Sequence, residues 1–278
     1  MAHLLKHPPI MKWIGILTLA FSVGLTGVKA QDSQYKNPAD TLRSMPITAY
    51  SAGEKLEYVL HYGIVNAGIA TLEVKSTNKK LLNRELLQVV GTGKSVGAFN
   101  WFFKVRDRYE SYIDKQGAFP WIFVRRVDEG GYKINQDYSF YQHQGKVDNG
   151  KNKQFDVPVY TQDMLSAFYY ARTINFDTAK VGDIFTIQAF VDDELWPLKI
   201  KYMGKDEVDI RNGKFRCLRF VPVVQKGRIF KNDEDLSVWI SDDKNKIPVL
   251  VQAKVLVGSI KMELTDYSGL ANPIAKKN

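Results

Sequence analysis

The sequence contains a single cysteine, Cys217, in a chain of 278 residues. One cysteine cannot form an internal disulfide, and its position far from the N-terminus excludes the lipid-modified cysteine of a lipoprotein. Its neighbours Phe215, Arg216 and Leu218 are typical of a strand. We therefore interpret Cys217 as a small buried hydrophobic residue and not as a catalytic nucleophile.

Histidine is also scarce, because only His61 and His143 follow residue 30. A Ser-His-Asp site needs a histidine placed beside a serine, and neither His61 nor His143 lies near a nucleophile-elbow signal in the sequence. A zinc site needs three or four His, Cys, Asp or Glu ligands at suitable spacing. A glycine-rich phosphate loop is absent as well. The sequence therefore predicts no catalytic residues of these classes, no metal and no cofactor.

The one long apolar run lies at the N-terminus, over Trp13–Val23, after a short positive start. Val28 and Ala30 are small residues at positions −3 and −1 of a cleavage before Gln31. This arrangement is typical of a secretory signal peptide, here residues 1–30. The run is shorter than the roughly 20 residues that cross a bilayer. The pattern predicts an exported protein whose mature chain has no transmembrane segment.

Met11, which is followed by Lys12, would serve equally well as the start of translation. After the signal peptide, the sequence predicts three regions. Residues 31–48 are polar and lack periodicity, which is typical of a flexible N-terminal segment. Residues 49–270 read as a single β domain, because no linker or change of composition divides them. Residues 271–278 are expected to form a C-terminal tail.

The predicted domain alternates apolar and polar residues in short runs that are separated by turn residues. We expect twelve to fourteen strands, with turns near 66–68 and at 192–193 and 212–213, and an exposed loop over 144–154. The segment Asp163–Arg172 departs from this rhythm, because its apolar residues have helical spacing after a capping residue. The sequence therefore predicts an all-β fold with one short helix, built as a large antiparallel barrel, a half-open barrel or a sandwich.

Charge excludes one class of partner and favours none strongly. Removing residues 1–30 takes away three lysines and no acid, so the net charge of +9 becomes +6. The basic residues are spread along the chain and form no stripe with aromatic platforms, which argues against nucleic acid. A weak attraction to anionic membranes or acidic polysaccharides is compatible with this balance.

Acidic residues cluster at 192–194, 233–235 and 242–243. Glycosidases use two carboxyl groups about 5–10 Å apart across a cleft, so a carbohydrate-active hydrolase is one alternative. All three clusters fall where turns are expected, and turns favour aspartate for its hydrogen bonds to nearby backbone. The pattern therefore favours turns over a catalytic carboxylate pair.

Aromatic residues and arginines are concentrated between residues 99 and 141. Strand alternation would direct some of these side chains into a barrel wide enough for a ligand. Aromatic rings could also form an ordinary core with arginines at its edge. The candidate ligand-binding residues are Trp101, Phe103, Arg106, Arg108, Tyr109, Trp121 and Arg125.

Three sets of motifs resemble a known family. The segments 235–243, 247–249 and 257–260 (DLSVWISDD, IPV and VGSI) resemble the closing signature of domain-of-unknown-function family 3108, and 53–58 (GEKLEY) is similar to its start. The segment 163–172 resembles its central helix motif. The resemblance implies an exported bacterial protein, located in the periplasm, with no established activity and no catalytic residues to carry over. A likeness to the half-open β-barrels of lipoprotein carriers is an analogy of fold alone.

Three functions remain open from the sequence. The favoured one is a non-catalytic binding or carrier protein for an amphipathic ligand of the cell envelope, such as a lipid or a glycan. The second is the hydrolase with a carboxylate pair. The third is an adaptor that presents a sheet edge or a loop to another envelope protein.

Overall fold

The computed structural model describes residues 42–223, 235–254 and 258–277. Within these ranges the chain forms fourteen strands and two α-helices. The expected signal peptide lies outside the described residues. The elements are β1 (Lys55–Tyr62), β2 (Val65–Leu81), β3 (Arg84–Ser95), α1 (Gly97–Phe102), β4 (Val105–Asp114), β5 (Pro120–Glu129), β6 (Tyr132–Tyr141), β7 (Lys146–Asp148), β8 (Gln154–Asp156), α2 (Met164–Ala171), β9 (Ile184–Val191), β10 (Glu194–Ile210), β11 (Gly213–Pro222), β12 (Leu236–Ser241), β13 (Pro248–Lys254) and β14 (Ser259–Ser268).

All fourteen strands belong to one antiparallel sheet that does not close. Its order is β8-β7-β6-β5-β4-β3-β2-β1-β14-β13-β12-β11-β10-β9, so the chain runs as two meanders that meet where β1 pairs with β14. The prediction of a large antiparallel all-β fold with a short helix is confirmed.

The two edges of the sheet approach each other. Gln162, which follows β8 in the chain, forms a parallel bridge with Ala189 on the edge strand β9. The rings of Phe155 on β8 and Phe190 on β9 lie 5.0 Å apart. These contacts cover part of the two sheet edges, where unpaired backbone N–H and C=O groups would otherwise be available to pair with another chain.

Helix α2 packs against the inner face of β3 and β4 and against β9. Asp163 caps it by accepting hydrogen bonds from the backbone N–H of Leu165 and Ser166, and it also accepts one from the Ser111 hydroxyl at 2.6 Å. Gly91 of β3 allows close approach, because a Cβ there would lie 3.2 Å from the Leu165 side chain. The helix predicted over Asp163–Arg172 is thus confirmed, and it fills the inside of the curled sheet.

The sequence placed two local features incorrectly. The first hairpin turns at Gly63, whose φ of +58° suits glycine, instead of near 66–68, because β2 begins at Val65 and a bulge at His61 absorbs the shift. The polar stretch 144–154 is not one loop, because it contains β7, which hydrogen-bonds to β6 and β8. The turns predicted at 192–193 and 212–213 are confirmed.

The antiparallel order gives the sheet two different ends. The hairpin end carries the turns β1–β2, β3–β4, β5–β6 and β9–β10. The terminal end carries the opposite turns together with both ends of the described chain. There Leu42 and Ala275 are buried, and the backbone N–H of Met45 donates to Gln116 O at 2.8 Å. Leu42 and Ala275 therefore contribute to the packing at this end of the sheet.

Candidate functional site

The hairpin end exposes several large apolar or aromatic side chains to solvent. Helix α1 connects β3 to β4 and buries none of its residues. Trp101 is 89% exposed and Phe102 is 81% exposed. Ile64, Val65 and Tyr132 on the two neighbouring turns are also exposed. We call Ile64, Val65, Trp101, Phe102 and Tyr132 the apolar rim.

Contacts between the three turns fix the apolar rim in place. The Tyr62 and Phe99 rings meet edge to face with centroids 6.1 Å apart, which joins β1 to α1. Phe103 lies directly over Gly130 in the β5–β6 turn, where a Cβ would come 2.6 Å from the ring. The backbone N–H of Gly130 also donates to Lys104 O at 2.9 Å. The rim is therefore a preformed surface supported by three connected turns.

A shallow groove of about 390 Å³ lies on the outer face of β3 to β6 next to this rim. Burial alternates along β4, with Val105, Asp107 and Tyr109 buried and Arg106 and Arg108 exposed. This alternation places the arginines on the outer face. We call this groove the basic groove, because its lining includes five cationic residues: Lys94, Arg106, Arg108, Arg126 and Lys133.

The strand register sets like charges opposite each other in the basic groove. Lys94 faces Arg106 across β3 and β4, and Arg108 faces Arg126 across β4 and β5. Like charges directly opposite on one face of a sheet are destabilising. An anion between them would relieve this repulsion.

Carboxylates balance only part of this charge. Arg108 pairs with Glu110 at 2.7 Å. Arg126 forms a two-pronged pair with Asp137 at 2.6 and 3.0 Å. Asp128 lies opposite Arg106 on β5, but its carboxylate pairs with Lys133 at 3.8 Å. Within the described ranges no carboxylate comes within ion-pair distance of Lys94 or Arg106. Arg106 donates one hydrogen bond to the backbone oxygen of Val105, and its remaining N–H groups and the Lys94 ammonium could hold an anionic group.

A second polar cluster lies on the inner face behind the groove. Burial raises the pKa of Asp107 to about 7, and the neighbouring Glu129 carboxylate adds to the increase while Arg125 opposes it. Burial also raises the pKa of Glu129. No donor among the described residues reaches Asp107 Oδ2. Burial and the neighbouring Glu129 carboxylate therefore both favour a protonated Asp107.

We predict that Asp107→Asn changes how stability depends on pH. The folded-state pKa lies above the ordinary 3.8, so the folded protein holds this proton more tightly than the unfolded chain. The contribution of this bound proton to the free energy of unfolding is therefore lost as pH rises from about 4 to 7. At pH 8 the variant should exceed it in free energy of unfolding by about 1 kcal/mol or more, and at pH 4 the two should converge.

Urea unfolding of both proteins between pH 4 and 8 measures this difference. Asp128→Asn is the matched control, because Asp128 lies on the adjacent strand but faces outward and is half exposed. Parallel pH profiles for the unmodified protein and Asp107→Asn would contradict the prediction.

The seven candidate binding residues are divided among four places. Trp101 and Phe103 lie on α1 and directly after it, and Arg106 and Arg108 line the basic groove. Tyr109 and Arg125 are buried on the inner face, where Arg125 pairs with Asp192 at 2.8 Å.

Trp121 is buried in a separate cluster toward the terminal end, and its indole N–H donates to Asp114 at 3.1 Å. The expectation that all seven line one cleft does not match this placement. Lys94 and Lys133 were missed, because only the register shows that they share the groove.

The acidic clusters that can be located are parts of turns. Asp192 and Asp193 form the β9–β10 turn with φ values of +51° and +64°. Asp243 accepts hydrogen bonds from the backbone of Asn245 and Ala275 in the β12–β13 turn. Of the cluster 233–235, only Asp235 is described. The Asp192 carboxylate pairs with Arg125, and the Asp193 carboxylate accepts hydrogen bonds from Tyr138 and Asn149. These acids therefore have structural partners and do not form a catalytic pair across a cleft.

The structure also bears on a cysteine nucleophile, a metal site and a membrane-spanning helix. Cys217 is buried on β11, and burial raises the pKa of its thiol to about 12, so it is not a thiolate at neutral pH. In the described part of the chain, no group of three or more His, Cys, Asp or Glu side chains is placed to hold a metal ion. No helix of the same residues has the length and apolar character to cross a membrane.

The match to a family profile identifies the class of protein that this sheet represents. The profile described as "Protein of unknown function (DUF3108)" matches residues 57–265. The chain therefore belongs to the DUF3108 family, as its motifs suggested. No functionally curated protein matches the chain significantly.

Solved structures show a similar fold at low sequence identity. A β-barrel-like DUF1849 protein from Brucella abortus is 10% identical with a TM-score of 0.53, covering 79% of this chain and 98% of that one. A protein provisionally described as a lipoprotein, from Parabacteroides distasonis, is 9% identical (TM-score 0.37, 81% and 100% coverage). One from Bacteroides fragilis, provisionally described as exported, is 10% identical (TM-score 0.30, 79% and 97%). The first of these supports a β-barrel-like fold.

Proposed function

We propose that this protein is a non-catalytic binding protein of the bacterial cell envelope that holds an anionic amphipathic ligand in the basic groove. The observation that carries this proposal is the cross-strand pair Lys94 and Arg106, two facing cations with no carboxylate within ion-pair distance among the described residues. Asp128, on the other side of Arg106, pairs with Lys133. A phosphate or carboxylate headgroup between them would remove their repulsion and form charge-assisted hydrogen bonds.

The size and position of the groove suit a headgroup with an apolar tail. Its volume of about 390 Å³ is at the lower end of the range for small-molecule sites. Its upper end is formed by the strand ends that flank α1, so an apolar tail can leave the groove at the hairpin end of the sheet. The inside of the sheet is less suited, because α2 and the buried aromatic clusters fill it.

Residues 1–30 read as a secretory signal, and we therefore place the protein in the periplasm. The family assignment agrees with a protein that has no established activity. A catalytic function has less support, because Asp192–Asp193 and Asp242–Asp243 lie in turns. A glycosidase needs its two carboxyl groups about 5–10 Å apart.

The double variant Lys94→Gln/Arg106→Gln tests this function. Dihexanoyl phosphatidylglycerol, used below its micelle concentration, is the anionic probe, and the zwitterionic dihexanoyl phosphatidylcholine is the comparison. We expect the anionic lipid to bind, and the double variant to bind it at least about tenfold more weakly, which corresponds to about 1.4 kcal/mol. Isothermal titration calorimetry at low and high salt measures both values, and salt should weaken binding.

The control for total charge is Lys199→Gln/Lys201→Gln on β10. Both lysines are exposed and lie on a strand far from the groove in the sheet order. This control should bind like the unmodified protein. Equal affinity for the two lipids, or equal weakening in both double variants, would rule out a specific anionic site in the groove.

A further inference from the structure

We propose that the apolar rim docks the protein onto the surface of an anionic lipid bilayer. This goes beyond the proposed function, because it concerns the turn tips of the hairpin end and not the groove. The partner is the bilayer itself, with Ile64, Trp101 and Phe102 entering the region between the headgroups and the acyl chains.

The composition and exposure of the rim match an interfacial anchor. Ile64 is 100% exposed, Val65 45% and Tyr132 56%, in addition to the almost fully exposed pair on α1. Tryptophan and tyrosine are enriched at membrane–water interfaces, where an apolar ring and a polar edge both find suitable surroundings. Exposed apolar side chains gathered at one place, and not scattered singly, mark an interaction surface.

The geometry favours a bilayer over a concave partner. The rim residues occupy three adjacent turns at one end of the sheet, and among the described residues they are exposed and do not line the basic groove. The three turns are joined by the Tyr62–Phe99 contact and by Phe103 over Gly130. Several projecting side chains held in fixed relative positions can enter a lipid surface together, because the entropic cost of ordering the turns has already been met in folding.

The charges around the rim select an anionic surface. Lys94 precedes α1, Lys104 and Arg106 follow it, and Lys133 follows the β5–β6 turn; all four are exposed. Lys133 pairs with Asp128 at 3.8 Å, so the other three cations supply most of the positive charge. Basic residues beside an apolar anchor are attracted to anionic lipids within about a Debye length. The same cations that hold a headgroup in the groove would therefore also draw the hairpin end toward the membrane.

The test is flotation of the purified protein with lipid vesicles. Residues 31–278, which include every described residue, are used so that the N-terminal apolar run cannot contribute. Vesicles of phosphatidylcholine with 30% phosphatidylglycerol are compared with phosphatidylcholine alone. We expect binding to the anionic vesicles, and a loss of at least tenfold in the partition coefficient for Trp101→Ser/Phe102→Ser.

The matched control is Val181→Ser/Ile184→Ser, which removes two exposed apolar residues at the terminal end. It should bind vesicles like the unmodified protein. Lipids brominated near the headgroup supply a second readout, because they should quench the fluorescence of Trp101 and this quenching should disappear in Trp101→Phe. The Phe variant should still bind, since its ring remains apolar.

Several outcomes would overturn the docking proposal. These are no flotation with anionic vesicles, equal loss in the control variant, or vesicle binding that high salt abolishes while Trp101→Ser/Phe102→Ser leaves it unchanged. A protein partner for the rim would also give no flotation. The rim variant should retain binding of dihexanoyl phosphatidylglycerol, so a failure of docking and a failure of the groove site are distinguishable.

Discussion

Replacement of Arg172 by methionine is expected to lower the free energy of unfolding by about 3–5 kcal/mol, the cost of leaving a buried charge without its partner. Arg172 donates to both carboxylate oxygens of Glu54 at 2.6 Å, and both side chains are almost fully buried. It also donates to the backbone oxygens of Ala49 and Asn245. One side chain therefore joins α2 to the N-terminal segment and to the β12–β13 turn.

Chemical unfolding followed by tryptophan fluorescence measures this loss. Arg126→Met is the matched control, because its pair with Asp137 is about half exposed and such pairs contribute only about 0–1 kcal/mol. The double variant Arg172→Met/Glu54→Leu should recover part of the stability, since it removes both buried charges. A loss below about 1 kcal/mol in Arg172→Met would show that the pair does not hold the helix.

Replacement of Asp114 by alanine is expected to have an effect of similar size at the terminal end. Asp114 is fully buried and accepts two hydrogen bonds from Arg84, at 2.6 and 2.8 Å. It also accepts hydrogen bonds from the backbone N–H of Gln116 and Gly117 and from the indole of Trp121. Alanine would leave a buried guanidinium and three further donors without an acceptor, at a cost of about 3–5 kcal/mol.

Asp156→Ala provides the comparison, because Asp156 also pairs with a cation but its side chain is 88% exposed. We expect that variant to change the free energy of unfolding by less than about 1 kcal/mol. Equal effects of the two substitutions would mean that the Asp114 network does not stabilise the β4–β5 turn. Binding of the short-chain lipid below the unfolding transition should persist in Asp114→Ala, since Asp114 lies away from the basic groove.

Local patterns were sufficient for the features that depend on neighbours in the chain. The helix was predictable because Asp163 caps a segment whose apolar residues repeat every three to four positions. The exposure of Arg106 and Arg108 follows from alternation along β4. The turn at 212–213 was predictable because Asn-Gly favours a tight hairpin. Helix α1 was not predicted, since its six residues carry no cap and no apolar stripe.

The candidate sites were only partly predictable. Sequence clustering identified Trp101, Arg106 and Arg108, but it also included Trp121 and Tyr109, which are core residues. An aromatic residue or an arginine in a strand looks the same in sequence whether its side chain is buried or exposed. The distinction depends on which strand lies beside it and on how the sheet curls.

The sequence by itself determined most strands, the confirmed turns and helix α2, because hydrogen bonding and side-chain alternation act over a few residues. Only the tertiary structure decided that Lys94 faces Arg106 and that Arg172 meets Glu54, which is 118 residues away. Register across the sheet is set by the combined packing of many side chains and not by any short segment. The basic groove and the apolar rim are consequences of that register and of the order of the strands.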